Sequence, residues 1–230
     1  MNRHKRILLL LCLYTGLQAS AQKAGKDQYS SSDQQGSTSW ELRKDQDGIR
    51  VYARTADSSR FDEVKVETIL PGKISSLATL ILDVANYPNW SFNSEKAYVL
   101  KRISPSELYF YSLVHSPWPA SDRDLVVHLH LTQDSNSHTL YIRADGVAGY
   151  IPEKKGIVRV PLSIERWVVT PLPGDRIKIS YQLRLDPGTS APALLINHFS
   201  AKGPYETFGH LREQLKQPKY HDATLPFIKN

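Results

Sequence analysis

An alternation of hydrophobic and polar residues, which is typical of β-strands, recurs along most of the chain. In the clearest case, Arg176–Asp186, five apolar side chains alternate with polar ones, as expected in an antiparallel sheet that is covered on one face. Turn-forming residues separate this stretch from the other predicted strands, which span 40–44, 49–54, 61–70, 97–103, 107–114, 123–132, 139–145 and 156–171. The pattern therefore predicts a largely antiparallel sheet.

Two stretches show the spacing of an amphipathic helix, a short one over 74–84 and a long one over 192–217. The long stretch carries two apolar stripes that are out of phase with each other. One stripe contains Leu195 and Phe199, and the other contains Phe208, Leu211 and Leu215. A break at Gly203-Pro204 would turn both stripes toward one core. A long, bent C-terminal helix against an antiparallel sheet is an α+β arrangement.

The first 38 residues differ in composition from the rest. Residues 1–21 begin with basic side chains, continue with a mostly apolar run over 7–17 and end in Ala19-Ser20-Ala21, which is typical of a cleavable export signal. Residues 22–38 are polar and predict a flexible leader, and 39–230 is expected to form one domain. Export would place the protein in a periplasm or outside the cell. Because the single cysteine, Cys12, lies in the signal, no disulfide is expected.

The charge of the chain argues against a nucleic-acid partner. The formal net charge is +6, but residues 1–21 contain three bases and no acid. The remainder therefore has 26 bases against 23 acids, a net charge of +3. Proteins that bind nucleic acid usually carry a more strongly basic, clustered surface, so no such partner is expected.

No sequence motif indicates catalysis or a cofactor. The chain contains neither the Gly-x-Ser-x-Gly motif of serine hydrolases nor a glycine-rich phosphate-binding motif. His128 and His130 share one face of a predicted strand and could share a metal ion, but this is the polar face and no third ligand accompanies them. A solvated histidine pair is therefore favoured, and neither a metal nor a cofactor is predicted.

Arg123 does not fit a plain hydrophobic face. Alternation along 123–132 sets it on the same side as Leu125, Val127 and Leu129. An unpaired buried charge costs several kcal/mol, so the guanidinium must find acceptors or reach water. Two interpretations remain open at this point: a polar anchor at the inner end of an apolar pocket, and a residue at the strand end that bends out to solvent.

Three tyrosines lie on alternating strand positions that would face a cavity. They are Tyr109, Tyr111 and Tyr181. Each would present an apolar ring and a hydroxyl to a ligand, whereas the alternative is an ordinary core tyrosine with one hydrogen-bonded hydroxyl.

An ordered series of motifs resembles the START (steroidogenic-acute-regulatory-related lipid-transfer) domain, in its bacterial, exported branch. The motifs are Trp40-Glu41-Leu42, Tyr87-Pro88-Asn89-Trp90, the run Pro117-Trp118-Pro119-Ala120-Ser121-Asp122-Arg123-Asp124-Leu125-Val126, Tyr150-Ile151-Pro152 and Asp186-Pro187-Gly188. The resemblance spans about 39–217, and the order of the motifs is more specific than any one of them.

The resemblance implies the helix-grip fold, in which a curved antiparallel sheet wraps around a long C-terminal helix and encloses a hydrophobic cavity. It aligns Arg123 with the cavity arginine of the family. Two positions depart from the family pattern: Lys96, with Glu95 beside it, stands where some members have the glutamate that pairs with this arginine, and Thr189 replaces a glycine. The expected ligand-binding residues are Arg123, Tyr109, Tyr111, Val127, Leu129, Trp167, Tyr181, Leu183, Leu195, Phe199 and Phe208.

These observations lead to one expected function and two rivals. The expected protein is a non-enzymatic carrier or sensor that holds one lipid, sterol-like or other hydrophobic molecule and contacts membranes transiently. The first rival is a polyketide-cyclase-like enzyme with tyrosines or histidines as acid and base, for which an inward-facing His115 would argue. The second is an interaction module without a ligand, which would have a filled interior.

Overall fold

One ten-stranded sheet dominates the computed structural model, which describes residues 39–55, 61–188 and 200–230. The strands are β1 Glu41–Gln46, β2 Ile49–Thr55, β3 Asp62–Pro71, β4 Ser94–Ser104, β5 Glu107–Val114, β6 Arg123–Gln133, β7 Leu140–Gly146, β8 Val158–Arg159, β9 Leu162–Leu172 and β10 Arg176–Asp186. The helices are α1 Ile74–Leu82, a 3-10 helix Val84–Asn89, α2 Lys202–Leu215 and α3 Pro218–His221.

Neighbouring strands of the main sheet are antiparallel and follow the order β1-β2-β3-β10-β9-β7-β6-β5-β4. The short strand β8 pairs in parallel with β6 at the start of that strand. Since β1 and β4 are both edges, the curved sheet is open rather than a closed barrel. Hairpin connections dominate because most consecutive strands are neighbours, as antiparallel pairing permits.

The core lies between the concave face of the sheet and the helices. On α2, Phe208, Leu211 and Leu215 recur at helical spacing and are almost fully buried. Gly203 and Pro204 occupy the first turn of this helix. Backbone N–H groups in the first turn have no intrahelical acceptor, so proline costs no hydrogen bond at this position. Within the described part of the chain, no helix combines the length and the hydropathy that a bilayer crossing needs.

The predicted fold class is confirmed, and most predicted strands recur within a few residues of their observed bounds. One difference is the predicted strand over 156–171, which forms two strands, β8 and β9. Pro161 lies between them, and proline cannot donate a ladder hydrogen bond. The long helix predicted over 192–217 lies partly outside the described residues; within them α2 runs from Lys202 to Leu215, and Gly203-Pro204, the predicted position of a break, falls in its first turn. Leu195 and Phe199 lie outside the described residues.

Candidate ligand-binding cavity

A cavity of about 650 Å³ lies between the inner sheet face and α2. Its volume falls within the range of small-molecule sites, roughly 300–1,000 Å³. Its lining is mostly apolar and includes, among the predicted residues, Val127, Leu129, Trp167, Tyr181, Leu183 and Phe208. The fold brings these six side chains together from β6, β9, β10 and α2.

Three aromatic rings form one wall of the cavity. The ring centroids of Trp167 and Tyr181 are 4.7 Å apart, and those of Tyr181 and Phe208 are 5.4 Å apart. Trp167 and Phe208 are 5.2 Å apart. Trp167 and Tyr181 meet because they are paired residues on β9 and β10. The three rings thus contact one another directly and fill the space between them.

Arg123 lies in the cavity lining and is 6% exposed, which supports the pocket interpretation over the solvent-directed one. Its guanidinium donates a hydrogen bond to the carbonyl of Ser121. Burial lowers the pKa of Arg123, and the nearby Asp122 carboxylate opposes that effect. Glu95, the acid beside the position expected for an arginine partner, lies instead 3.5 Å from His115.

The next residue, Asp124, faces the opposite side of β6 and has a structural role. Its carboxylate accepts two hydrogen bonds from Arg159 of β8, at 2.6 and 3.1 Å, and both side chains are almost fully buried. Arg159 also donates to the carbonyls of Ala148 and Ile151, at 2.6 and 3.1 Å. The paired charges therefore fasten β8 and the preceding loop against the start of β6.

The prediction that Tyr109 and Tyr111 line the cavity is wrong. On β5 the residues of the other parity, Phe110, Ser112 and Val114, face the cavity. Strand alternation therefore turns both tyrosines to the outer face. Tyrosine spacing shows that the two residues share a face, but it does not show which face is covered by the helix.

On the outer face, Tyr109 is stacked between two other rings. Its centroid is 4.4 Å from that of His128 and 4.5 Å from that of Tyr150. His128 also makes a 2.7 Å contact with the Glu107 carboxylate, so it is held by two neighbours rather than freely solvated. Tyr111 is buried, and the Lys154 ammonium lies 3.7 Å from its ring centroid.

Sequence reasoning missed an acidic residue in the cavity wall, Glu165. It lies on β9 between Ser163 and Trp167, which share its face, and it contributes to the cavity lining. Burial raises the pKa of Glu165 to about 7, although hydrogen bonds from the side chains of Trp167 and Tyr181 favour the ionised form. Since β9 mixes polar and apolar residues on both faces, the alternation did not reveal its direction. The signal available was that Glu165 has the same parity as Trp167.

The loop between β5 and β6 lies at one end of the cavity. His115 contributes to the lining, but its side chain is 55% exposed, so it is a residue of the cavity mouth. Its Nδ1 is 3.1 Å from Asp122 and 3.5 Å from Glu95. These three side chains offer metal-ligand atoms within 4.8 Å of one another. Trp118, at the tip of the loop, is 92% exposed.

An antiparallel sheet gripping a C-terminal helix around an apolar cavity defines a helix-grip protein. The family model described as the START domain matches residues 23–220, and the chain therefore belongs to the START domain family.

Several known proteins resemble the chain. A STAR-related lipid transfer protein from Xanthomonas axonopodis is 30% identical, with a TM-score of 0.72 over 77% of this chain and 99% of that one. Human StAR-related lipid transfer protein 5 is 18% identical, with a TM-score of 0.67 over 81% of this chain and 89% of that one, which is a likeness of fold. An uncharacterized protein of Pseudomonas aeruginosa is 29% identical over 174 residues, which are 75% of this chain and 85% of the relative.

Proposed function

We propose that this protein binds one lipid, sterol-like or other hydrophobic small molecule in its cavity and carries or senses it without changing it chemically. The observation that carries the proposal is the apolar cavity of about 650 Å³ between the sheet and α2. Burying about 300 Å² of apolar ligand surface contributes roughly 7 kcal/mol at 25 cal/mol/Å², before the costs of association. A ligand-free interaction module would instead fill this space with side chains.

Arg123 is the proposed polar anchor at the cavity end nearest the β5–β6 loop. Its buried guanidinium is well placed to bind a carboxylate, phosphate or carbonyl group of the ligand. The apolar body of the ligand then lies along Leu125, Val127 and Leu129, which continue the same face of β6.

Membrane contact is part of the proposal. Trp118 projects from the loop whose residues Ser116, Pro117 and Ala120 line the cavity mouth. Tryptophan prefers the interface between lipid and water, so the loop is suited to rest on a bilayer while a ligand enters or leaves. Loss of vesicle binding in Trp118→Ala, with ligand retention unchanged, is the expected result; equal vesicle binding by both proteins would refute this role.

Export to a periplasm or the extracellular space, directed by residues 1–21, is also proposed. The basic start, apolar run and small-residue site of this segment support it. Cell fractionation with N-terminal sequencing tests it: a mature N-terminus at Gln22 outside the cytoplasm is expected, and an intact chain in the cytoplasm would refute it.

The central experiment identifies what the purified protein holds. Organic extraction followed by mass spectrometry is expected to recover a hydrophobic molecule in stoichiometric amount. Arg123→Leu should change the composition of the extract while the protein stays folded, whereas Arg102→Leu, an exposed control on β4, should not. If the Arg123 variant retains every lipid as the parent does, the anchor role is wrong. If neither extraction nor lipid titration detects binding, the carrier function is wrong.

The second candidate function is a polyketide-cyclase-like enzyme. The observation that favours it is Glu165, because a cavity carboxyl with a pKa of about 7 is suited to general acid–base catalysis at neutral pH. Incubation with aromatic polyketide substrates separates the candidates. A product that Glu165→Gln no longer forms would support the enzyme, and recovery of unchanged substrate supports the carrier.

A further inference from the structure

Glu165 lies on the inner sheet face, where its partners on both neighbouring strands are apolar. Its partner across β10 is Leu183, and its partner across β7 is Ala144. Burial of an ionised carboxyl group is costly, and a buried carboxyl group that lines a cavity is a candidate for ligand binding. The adjacent Arg166 lies on the other face of β9 and pairs with Asp145 at 2.5 Å, so its charge acts on Glu165 only from a distance.

Glu165 is well separated from the proposed anchor Arg123. The register places Leu129 beside Ala144 and Ala144 beside Glu165. Leu129 is six residues beyond Arg123 on β6, which is roughly 20 Å at 3.3 Å per residue. Glu165 forms no ion pair with Arg123 or with any other basic side chain among the described residues. Arg123 and Glu165 are therefore two distant charged residues of the same lining, and the apolar side chains of Leu125, Val127 and Leu129 lie between them.

The hydrogen-bonding capacity of Glu165 is incompletely used by the protein. Its partners are the side chains of Trp167 and Tyr181. A carboxylate has about four acceptor sites, so these two donors leave about two of them unused on a side chain that lines the cavity. A ligand that fills the cavity removes water from this side and must supply a donor itself, or the carboxyl loses hydrogen bonds on binding.

The surroundings favour a hydroxyl over an ammonium group as that donor. Trp167, Tyr181 and Phe208 pack against one another at 4.7–5.4 Å and so do not form an open aromatic cage around a cation. An ammonium ion would also lose its hydration against the apolar walls. A hydroxyl both donates and accepts, and it can therefore bond the carboxyl in either protonation state.

We propose that Glu165 binds a hydroxyl group at the inner end of the ligand and so selects hydroxylated lipids over hydrocarbon-ended ones. This inference rests on the proposed ligand-binding function and deepens it. The ligand class is an amphiphile with a hydroxyl on the part of its body that reaches the wall formed by β9.

The test compares three probes of equal chain length: 1-dodecanol, dodecane and dodecylamine. Their affinities are measured by displacement of cavity-bound 1,8-anilinonaphthalene sulfonate from the purified protein. We expect dodecanol to bind about tenfold more tightly than dodecane, because one additional hydrogen bond to a charged group contributes an affinity difference of about this size. In Glu165→Leu the ratio should fall to about one, while dodecane binds at least as tightly as before. Glu213→Leu, a change of an exposed acid on α2 outside the cavity lining, should leave the ratio at about ten.

Two further measurements test the role of Glu165 without relying on the Glu165→Leu variant. Glu165→Gln, which retains donor and acceptor atoms, should preserve most of the preference for dodecanol. On the parent protein at pH 8.5, methyl undecyl ether, which accepts but cannot donate, should bind no more tightly than dodecane.

The outcomes separate this inference from the proposed function. Equal binding of dodecanol and dodecane to the parent overturns the role of Glu165 and leaves the carrier function standing. Tightest binding of dodecylamine overturns the hydroxyl assignment. If none of the three alkyl probes binds, the carrier function fails and the inference fails with it.

Discussion

Replacing Glu165 by glutamine removes a titratable group from the cavity wall while nearly preserving its shape. In the folded protein burial raises the pKa of this carboxyl to about 7, against 4.5 for a glutamate in water. The unfolded chain therefore loses its Glu165 proton at a lower pH than the folded protein does. As a result, the ionised carboxyl destabilises the folded state, and glutamine avoids this cost.

The size and sign of the effect follow from linkage. One pH unit corresponds to 1.36 kcal/mol, so the rise in pKa corresponds to about 3 kcal/mol, which cavity water reduces to about 2–3 kcal/mol. Below pH 4.5 Glu165 is protonated in both states and this stability is fully present. It is lost as the pH rises from 4.5 through 7. The gain in unfolding free energy from Glu165→Gln should therefore grow over this window and level off near pH 8.

Urea unfolding of the ligand-free proteins at pH 5, 6, 7 and 8, followed by tryptophan fluorescence, measures this difference directly. Asp145, Arg166 and Tyr87, which influence Glu165, are the same in parent and variant, so the difference isolates the carboxyl. Glu153→Gln, a change of an exposed glutamate, is the matched control and should show no such trend. A difference between parent and Glu165→Gln that stays constant from pH 5 to pH 8 would refute the raised pKa and the reasoning from burial.

Three other substitutions have expected outcomes. Asp124→Asn breaks the buried pair with Arg159 and should lower the unfolding free energy by about 3–5 kcal/mol in urea titrations; a loss below 1 kcal/mol would contradict the pairing. Phe208→Ala empties a fully buried position and should cost about 3–5 kcal/mol and weaken lipid retention; unchanged retention would show that α2 is not a cavity wall. Tyr111→Phe removes a hydroxyl on the outer face of the sheet, where the Lys154 ammonium lies against the ring, so ligand retention should be unchanged; reduced retention would place this ring in the cavity.

Local pattern predicted the strands well where one face is buried and the other is wet. The bounds of β5 and β10 agree with the prediction residue for residue, and the hairpin of β1 and β2 agrees within two residues. Alternation with period two is a property of the backbone itself, so it is readable without tertiary structure. The same pattern placed Arg123 on an apolar face, and the structure finds it buried in the cavity lining.

The pattern did not show which face of each strand points into the cavity. Tyr109 and Tyr111 share a face, as alternation requires, but that face is the outer one. On β9 the alternation itself was unclear, because both faces of the strand mix polar and apolar residues. The pattern therefore did not indicate that Glu165 faces the cavity. Both outcomes depend on which face of each strand is covered by α2, and that is a matter of long-range packing.

By itself, the sequence determined the strands, the amphipathic helix over Phe208 and the α+β class, because these follow from the repeat of a helix or a strand and from turn chemistry over neighbouring residues. Only the tertiary structure decided that Glu165 and Arg123 belong to one cavity, roughly 20 Å apart along the sheet. The position of Glu165 and its raised pKa arise from antiparallel pairing of β7, β9 and β10 and from burial beside Trp167 and Tyr181. These contacts join residues that are distant in sequence, and no local period encodes them.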